Sequence, residues 1–251
     1  MCFDTDALPP DPARTGMGAG TERTVLTADD GNRFAATIAR TTADDPAGVV
    51  ILPDVRGLHP YYETLAEHLA DAGLHVVALD PYGRTAGPVH RVEGFDPGPH
   101  RQAATDEGLR ADVRAAAVAL RELGATRVLT VGFCFGGRAS LMQASQESVD
   151  GVVAFYGPPR GEGTGGSPLA EVSDGIVRVP VLGLYGAEDR GIPIEDTESY
   201  SAALAAAGVD HRIVVYPGAP HSFFDRRMSE HADASRDAWA RLLGFADSLA
   251  R

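Results

Sequence analysis

Residues 128–138 of the chain read Val128-Leu-Thr-Val-Gly132-Phe-Cys134-Phe-Gly136-Gly137-Arg138, which predicts a buried strand, a sharp turn and the start of a helix. Glycines at 132 and 136 remove side chains that a tight turn around Cys134 would press against the backbone, and Gly137 lets the helix pack close to the sheet. Such a turn presents a nucleophile, and the helix N-terminus beyond it favours the thiolate. The pattern predicts a nucleophilic Cys134; the alternative is a buried structural cysteine in a glycine-rich packing turn.

Strand-like and helix-like segments alternate on both sides of this turn. Short apolar runs are typical of strands buried on both faces, whereas apolar residues at helical spacing are typical of covering helices. This alternation favours a mainly parallel sheet with helices on both faces, preceded by an antiparallel hairpin that turns at Asp29-Asp-Gly-Asn32. Strands are predicted at 24–28, 33–40, 48–52, 74–79, 127–132, 149–156, 179–185 and 211–216, and helices at 61–72, 105–123, 194–207 and 228–249, besides the one after Cys134.

The domain organisation is predicted to be simple. Residues 1–22 are rich in Pro, Gly and Asp and predict an irregular N-terminal arm, and residues 23–251 predict a single α/β domain. The long Gly/Pro-rich segments 83–100 and 157–177 are candidates for loops that line a site. A GxGxxG pattern at 161–166 is not interpreted as a dinucleotide site, because no helix is predicted to begin there.

Two residues that follow later strands are candidate partners of the cysteine. Asp189 and His221 each come just after a predicted strand, where the α/β-hydrolase fold supplies its acid and its base, and in the chain order that this fold uses. His221 would accept the thiol proton, and Asp189 would fix the histidine tautomer. Glu188 competes with Asp189, and the alternatives are a solvated or helix-capping acid and a structural histidine.

Backbone groups are expected to complete the site. An oxyanion hole needs two N–H donors, and we expect them from Phe135, which follows the nucleophile, and from Val55, which follows the strand at 48–52. The sequence has no HExxH pattern, no paired cysteines and no dense His/Asp cluster, so we expect no metal and no cofactor.

At these residues the chain resembles the dienelactone hydrolase family, the carboxymethylenebutenolidases. The resemblance lies in Gly132-Phe-Cys-Phe-Gly-Gly137, Gly186-Ala-Glu-Asp189 and His221-Ser-Phe-Phe224, and it extends from about Thr24 to the C-terminus. It implies an α/β-hydrolase domain without a large lid that hydrolyses small lactones or esters.

The resemblance also implies roles for residues around the nucleophile. In the family a glutamate contacts the resting thiol, is displaced by the substrate and then helps to deprotonate the cysteine; that position falls on Asp54. Tyr82-Gly-Arg84 matches the segment whose arginine binds the substrate carboxylate, although a surface arginine is the alternative. The second carboxylate-binding arginine falls on Asp225, and Arg56 is an added charge. We therefore expect Asp54, helped by Arg56, to keep the thiol-switching role, and Tyr82 and Arg84 to help bind the substrate.

Composition limits the partners and the compartment. The formal net charge of −13 disfavours nucleic acid as a partner, and no apolar run is long enough to cross a bilayer. The N-terminus lacks a signal-peptide pattern, and the two cysteines are far apart, which favours a reducing cytoplasm. We expect a cytoplasmic monomer that acts on a small ester or lactone, one that could bear a carboxylate.

Four functions are consistent with these residues. The favoured one is hydrolysis of a small lactone or carboxylic ester through an acyl-cysteine. The others are an acyltransferase or thioesterase with the same triad, a non-catalytic ligand-binding module that has lost turnover, and a redox protein that uses Cys134. A redox role is disfavoured because no resolving cysteine lies near Cys134 in the sequence.

Overall fold

A computed structural model describes Pro9 and residues 18–92, 94–160, 166–225 and 227–249. Its central feature is one eight-stranded sheet in the order β1-β2-β4-β3-β5-β6-β7-β8. The strands are β1 (Gly18–Thr27), β2 (Arg33–Thr41), β3 (Gly48–Leu52), β4 (His75–Leu79), β5 (Val128–Phe133), β6 (Gly151–Phe155), β7 (Val181–Gly186) and β8 (His211–Tyr216).

The sheet is parallel except at its N-terminal edge. β1 pairs with β2 and β2 with β4 in antiparallel register, whereas every pair from β4 to β8 is parallel. All residues of β3 to β7 are buried, which explains their continuous apolar runs. The predicted α/β-hydrolase arrangement, with its antiparallel hairpin, is therefore confirmed.

Helices cover both faces of this sheet. One apolar layer holds α1 and α8 against the sheet, and the other holds α4 to α7. The helices are α1 (Pro60–Asp71), α2 (Gly83–Ala86), α3 (Gly98–Ala103), α4 (Asp106–Glu122), α5 (Phe135–Leu141), α6 (Pro168–Ser173), α7 (Ile194–Ala206) and α8 (Ala232–Ser248).

Three predicted boundaries need correction. β1 begins at Gly18, although the irregular arm was predicted to reach residue 22, because Gly18–Thr27 pairs along β2. The segments 83–100 and 157–177, predicted as loops, contain short helices: α2 and the start of α3 lie in the first, and α6 lies in the second. The last helix begins at Ala232 rather than at Met228. Residues 1–8 and 10–17 of the arm, and residues 161–165 of the GxGxxG pattern, lie outside the described residues.

Strand order determines where a site can form. The chain runs from β3 through α1 to β4, and then crosses back to place β5 on the other side of β3. The carboxyl ends of β3 and β5 therefore lie side by side at the point where the winding reverses, and ligands of open α/β sheets bind in that crevice. None of the helices within the described ranges has the length and apolarity needed to span a membrane.

Candidate active site

Cys134 occupies a strained turn between β5 and α5. Its backbone has φ 54° and ψ −111°, a conformation that non-glycine residues rarely adopt. A Cβ atom at Gly132 would lie 1.9 Å from the carbonyl oxygen of Gly136, and one at Gly136 would lie 2.0 Å from the carbonyl oxygen of Leu52. Only glycine fits at these two positions, so the strand and the helix pack closely enough to hold the cysteine in this conformation.

His221 is bound by Asp189. The Nδ1 atom of His221 lies 2.6 Å from Oδ2 of Asp189, and the other carboxylate oxygen accepts a hydrogen bond from the Gly191 N–H at 2.8 Å. The Asp189 side chain is 2% exposed and that of His221 is 26% exposed, whereas Glu188 is exposed. The structure therefore brings Asp189, rather than Glu188, to the histidine, and it leaves part of the imidazole accessible.

The ring of Tyr156 supports the histidine. Its centroid lies 4.8 Å from that of His221, and its backbone has φ 41°, a second strained position next to the site. Tyr156 is buried, and this burial raises the pKa of the phenol well above its ordinary value. Its hydroxyl has no hydrogen-bond partner among the described residues. Tyr156 therefore contributes a neutral, apolar surface beside the histidine.

The side chains of Cys134 and His221 face one cavity of about 590 Å³. Both residues predicted to form the oxyanion hole, Val55 and Phe135, line the same cavity. It lies at the carboxyl ends of β3 and β5, as the strand order requires. The other described residues that line it are Arg101, Gln102, Ala104, Asp106, Leu109, Arg138, Pro158, Gly191 and Ile192.

The backbone N–H groups of Val55 and Phe135 lack acceptors within the described part of the chain. Phe135 is the first residue of α5, so its N–H is one of the groups that a helix leaves without an internal acceptor. Within the described part of the chain, the Val55 N–H donates to no acceptor. Tyr82 contacts both residues, because its hydroxyl donates to the Val55 carbonyl oxygen at 3.1 Å and its ring stacks on that of Phe135, with centroids 6.1 Å apart.

Tyr82 therefore lies behind the cavity wall rather than in it. It is 1% exposed and is not among the described residues that line the cavity. Burial raises the pKa of its phenol above the ordinary range. The sequence predicted a substrate-binding tyrosine, and the structure places it in contact with the backbone of Val55.

Asp54 and Arg56 form a buried ion pair. The Arg56 Nε lies 3.1 Å from each Asp54 carboxylate oxygen, and its Nη2 lies 2.9 Å from Oδ2. The same Nη2 also donates to Asp225, and the three side chains are each 2–3% exposed. None of the three is among the described residues that line the cavity. In the sequence, however, Asp54 and Arg56 flank Val55, and Asp225 lies four residues after His221.

Arg84 is not among the described residues of the cavity wall, and its charge is paired with other groups. Its guanidinium binds Asp30 at 2.5 Å, Asp112 at 2.8 Å and the Gly108 carbonyl oxygen at 2.9 Å. These partners belong to the N-terminal hairpin and to α4. The structure therefore does not bring Arg84 to the cysteine, because its charge is already paired elsewhere.

Among the described residues that line the cavity are two arginines to which the sequence analysis assigned no role. Arg138, at the end of the quoted turn, makes a two-pronged ion pair with Asp106 at 2.7 and 3.0 Å and also donates to the Gly166 carbonyl oxygen. Arg101, on α3, is exposed and pairs with no carboxylate of the described residues. The position of Arg138, four residues after Cys134, could have indicated that it lies near the cysteine. No sequence feature indicated that Arg101 lines the cavity.

Metal-binding side chains do not gather at this site. Within the described ranges, no group of three or more His, Cys, Asp or Glu residues is placed to hold a metal ion. The arrangement found is a cysteine on a strained turn, an oriented histidine and two backbone donors around one cavity. These are the parts that acyl transfer to a thiol requires.

Comparison with known sequences gives one family. The profile of the "Dienelactone hydrolase family" matches residues 34–249. The Yersinia pestis protein named "Putative carboxymethylenebutenolidase" is 35% identical over 214 residues, which cover 78% of this chain and 76% of the relative. A Salmonella typhimurium protein of the same name is 33% identical over 225 residues, covering 85% of this chain and 82% of the relative.

Solved structures give the same family and fold. A crystal structure named "Putative Dienelactone Hydrolase" from Klebsiella pneumoniae has a TM-score of 0.77 at 28% identity, covering 91% of this chain and 99% of that one. A puromycin-hydrolyzing peptidase of Mycobacterium tuberculosis has a TM-score of 0.70 at 18% identity, covering 91% of this chain and 40% of that one. At this identity the peptidase shares the fold alone.

Proposed function

Since the chain belongs to the dienelactone hydrolase family and is thus a hydrolase of carboxylic esters or lactones, we propose that it acts through an acyl-cysteine on Cys134. The observation that carries this proposal is the shared cavity. The strained Cys134 and the Asp189-bound His221 line it together with Val55 and Phe135. A buried structural cysteine would need neither the strained backbone nor a neighbouring oriented histidine.

The first half-reaction forms a thioester. His221 takes the proton of the Cys134 thiol, and the thiolate attacks the carbonyl carbon of the substrate. The negative charge that develops on the carbonyl oxygen is stabilised by the N–H groups of Val55 and Phe135. The carbon–oxygen bond then breaks, and His221 returns the proton to the departing alkoxide.

The second half-reaction releases the acid. His221 takes a proton from water, the hydroxide attacks the thioester carbon, and the same N–H groups stabilise the second oxyanion. The carbon–sulfur bond breaks, and the thiolate regains its proton. With a lactone, the hydroxyl released in the first step remains attached to the acyl group, so the product is a hydroxy acid.

The test is turnover of small aryl esters and lactones by the wild type and by Cys134→Ala, with intact mass spectrometry after brief mixing. We expect a transient acyl adduct on Cys134 in the wild type, and loss of at least about a thousandfold in kcat in the variant. Full activity of Cys134→Ala would disprove the acyl-cysteine mechanism.

We also propose that the substrate bears a carboxylate and that Arg101 binds it. Of the two arginines among the described lining residues, Arg138 is paired with Asp106, whereas Arg101 pairs with no carboxylate that the structure describes. A protein with a formal net charge of −13 repels anions at long range, so an anionic substrate needs a local cation. Arg101 would then have the role that the sequence predicted for Arg84.

A pair of esters that differ only in a terminal carboxylate tests this assignment. Arg101→Ala is expected to lower kcat/KM for the anionic ester about tenfold, which corresponds to ~1.4 kcal/mol, and to leave the neutral ester within about twofold. Arg84→Ala is the control and should not change the ratio of the two substrates. Equal losses for both esters in Arg101→Ala would contradict the assignment.

A further inference from the structure

Three charged side chains are buried behind the cavity wall and join two of its loops. We propose that this ion cluster, Asp54, Arg56 and Asp225, is a positioning device that fixes the Val55 N–H group relative to His221. The role rests on the proposed acyl-cysteine mechanism, because it concerns where the oxyanion donor lies during that reaction.

The cluster has an arrangement that only a guanidinium can provide. Arg56 binds Asp54 through Nε and Nη2, and the same Nη2 binds Asp225. The guanidinium carbon also lies 5.2 Å from the ring centroid of Tyr61 and 5.5 Å from that of Tyr62. The planar cation is therefore held between two carboxylates and two aromatic rings, which leaves it little freedom to move.

Each end of the cluster belongs to a loop that carries a reacting group. Asp54 and Arg56 are the two neighbours of Val55 in the sequence, so fixing both of them fixes the peptide that holds the Val55 N–H. Asp225 follows His221 by four residues, and its own N–H donates to the carbonyl oxygen of Ser222, the residue next to the histidine, at 3.2 Å. The Arg56–Asp225 contact therefore ties the oxyanion loop to the histidine loop.

Hydrogen bonds around Asp54 strengthen this end of the tie. The Asp54 N–H donates to the Tyr62 hydroxyl at 3.0 Å, and the Arg56 N–H donates to Oδ1 of Asp54 at 2.8 Å. The Asp54 carboxylate is thus bound by the side chain and the backbone of Arg56. This positioning role differs from the thiol-activating role that the family resemblance implied for Asp54.

Ion pairing explains why Arg56 stays charged although it is buried. Burial by itself would lower the pKa of the Arg56 guanidinium, but its ion pairs with Asp54 and Asp225 raise that pKa by more than burial lowers it, so Arg56 stays protonated. Removing the cation would leave the buried carboxylates of Asp54 and Asp225 without a positive partner. Either a carboxylate would take up a proton, or the two loops would separate.

Substitution of Arg56 by lysine, on a Cys2→Ser background that leaves Cys134 as the only thiol, tests the proposal. Lysine keeps the charge but loses the planar fork. Two rates are compared in the folded protein: hydrolysis of a neutral ester, which needs the oxyanion hole, and alkylation of Cys134 by iodoacetamide, which needs only the thiolate. We expect Arg56→Lys to lower kcat about 10- to 100-fold with KM within about threefold, and alkylation within about threefold.

The control is Arg110→Lys, which alters a partly buried arginine ion pair with Glu171 on the other face of the sheet. It should lower stability without changing kcat. If Arg56→Lys does not fold, Asp225→Asn provides the test, since it keeps the shape of the side chain and one acceptor but weakens the contact with Arg56. Its kcat should fall at least about threefold, and the alkylation rate of Cys134 should stay unchanged.

Two results would overturn the proposal. One is an Arg56→Lys or Asp225→Asn protein that loses stability yet keeps the kcat of the wild type, as a purely structural ion pair would. The other is an equal loss of kcat and alkylation rate, which would mean that the cluster acts on the thiol. Failure of the proposed mechanism would be distinguishable, because Cys134→Ala would then still hydrolyse esters.

Discussion

Single residues at this site are held in conformations that they would not adopt alone. Cys134 at φ 54° and Tyr156 at φ 41° lie at the carboxyl ends of the neighbouring strands β5 and β6. Backbone strain of this kind costs about 1–3 kcal/mol per residue and persists only where the surroundings enforce it. Here a hydrogen bond from the Cys134 N–H to the carbonyl oxygen of Phe155, at 3.1 Å, ties the strained turn to β6.

The Tyr82 hydroxyl donates to the backbone next to the cavity and can be removed without changing the ring. Tyr82→Phe keeps the ring against Phe135 and loses only the bond to the Val55 carbonyl oxygen. We expect a loss of about 1 kcal/mol in the free energy of unfolding and a fall of roughly 3- to 10-fold in kcat, because the backbone of Val55, which carries the N–H donor, becomes less constrained. Steady-state kinetics and urea unfolding measure the two effects.

Tyr216→Phe serves as the comparison for that substitution. It removes a hydrogen bond of similar length, to Asp237 at 2.8 Å, from a tyrosine that is not among the described lining residues. A similar stability loss with unchanged kcat is expected. If both variants lose kcat equally, Tyr82 has no special role in the oxyanion hole.

At the scale of elements, the turn between β5 and α5 depends on close contact between backbones. Gly136 lies against the carbonyl oxygens of Leu52 and Pro53, where β3 ends, and a Cβ atom at Gly137 would lie 2.6 Å from the carbonyl oxygen of Phe155. The neighbours on both sides are backbone atoms, which cannot move away as a flexible side chain could. The helix therefore carries Cys134 at a distance from β3 that only glycine permits.

Gly136→Ala is expected to be strongly destabilising for this reason. We expect it to lose more than about 3 kcal/mol in the free energy of unfolding, or not to fold, because the added carbon would overlap the Leu52 carbonyl oxygen. Gly244→Ala, at an exposed position of α8 with open space around the added carbon, should instead gain about 0.5–1 kcal/mol. Chemical denaturation compares the two, and equal effects would contradict the steric argument.

At the scale of the whole molecule, two apolar layers on opposite faces of one sheet hold the elements together. Polar groups buried between these elements then determine how stability responds to pH. Asp112 on α4 is one such group, because its carboxylate accepts hydrogen bonds from Asn32 of the hairpin and from Arg84, each at 2.8 Å. Its second oxygen has no hydrogen-bond partner among the described residues.

Burial raises the pKa of Asp112 from 3.8 to about 6, although Asn32 and Arg84 act in the opposite direction. A carboxyl group whose pKa is higher in the folded protein binds protons more tightly there, so it favours folding at low pH. This contribution is present below pH 3.8 and is lost as the pH rises to about 6.

Asp112→Asn should therefore gain stability relative to the wild type as the pH rises from 4 to 6.5. We expect the difference in the free energy of unfolding to change by about 1–3 kcal/mol over that range and to stay constant above it. Urea unfolding at several pH values measures this. Asn32→Ala, which keeps the titrating carboxyl group but removes a hydrogen bond that lowers its pKa, should show a larger pH dependence than the wild type. A pH-independent difference for Asp112→Asn would contradict the prediction.

The sequence by itself determined the sheet, the turn and the order of the candidate residues. Apolar runs identified the buried strands because a parallel sheet covered on both faces needs them. Gly132 and Gly136 marked the tight turn at Cys134 because no other residue fits there. The positions of Asp189 and His221 after their strands followed from the same logic, since parallel strands bring their carboxyl ends to one edge.

Only the tertiary structure decided which charges face the cavity. Arg84 was predicted to bind substrate, yet it pairs with Asp112, and Arg56 pairs with Asp225, far away in the sequence. An ion pair forms wherever two distant segments bring opposite charges within a few ångströms, and no local pattern of residues records that distance. Strands, helices and tight turns leave local patterns of apolar residues and glycines, so the sequence predicts them. The pairing of long charged side chains depends on how distant segments pack in the whole molecule.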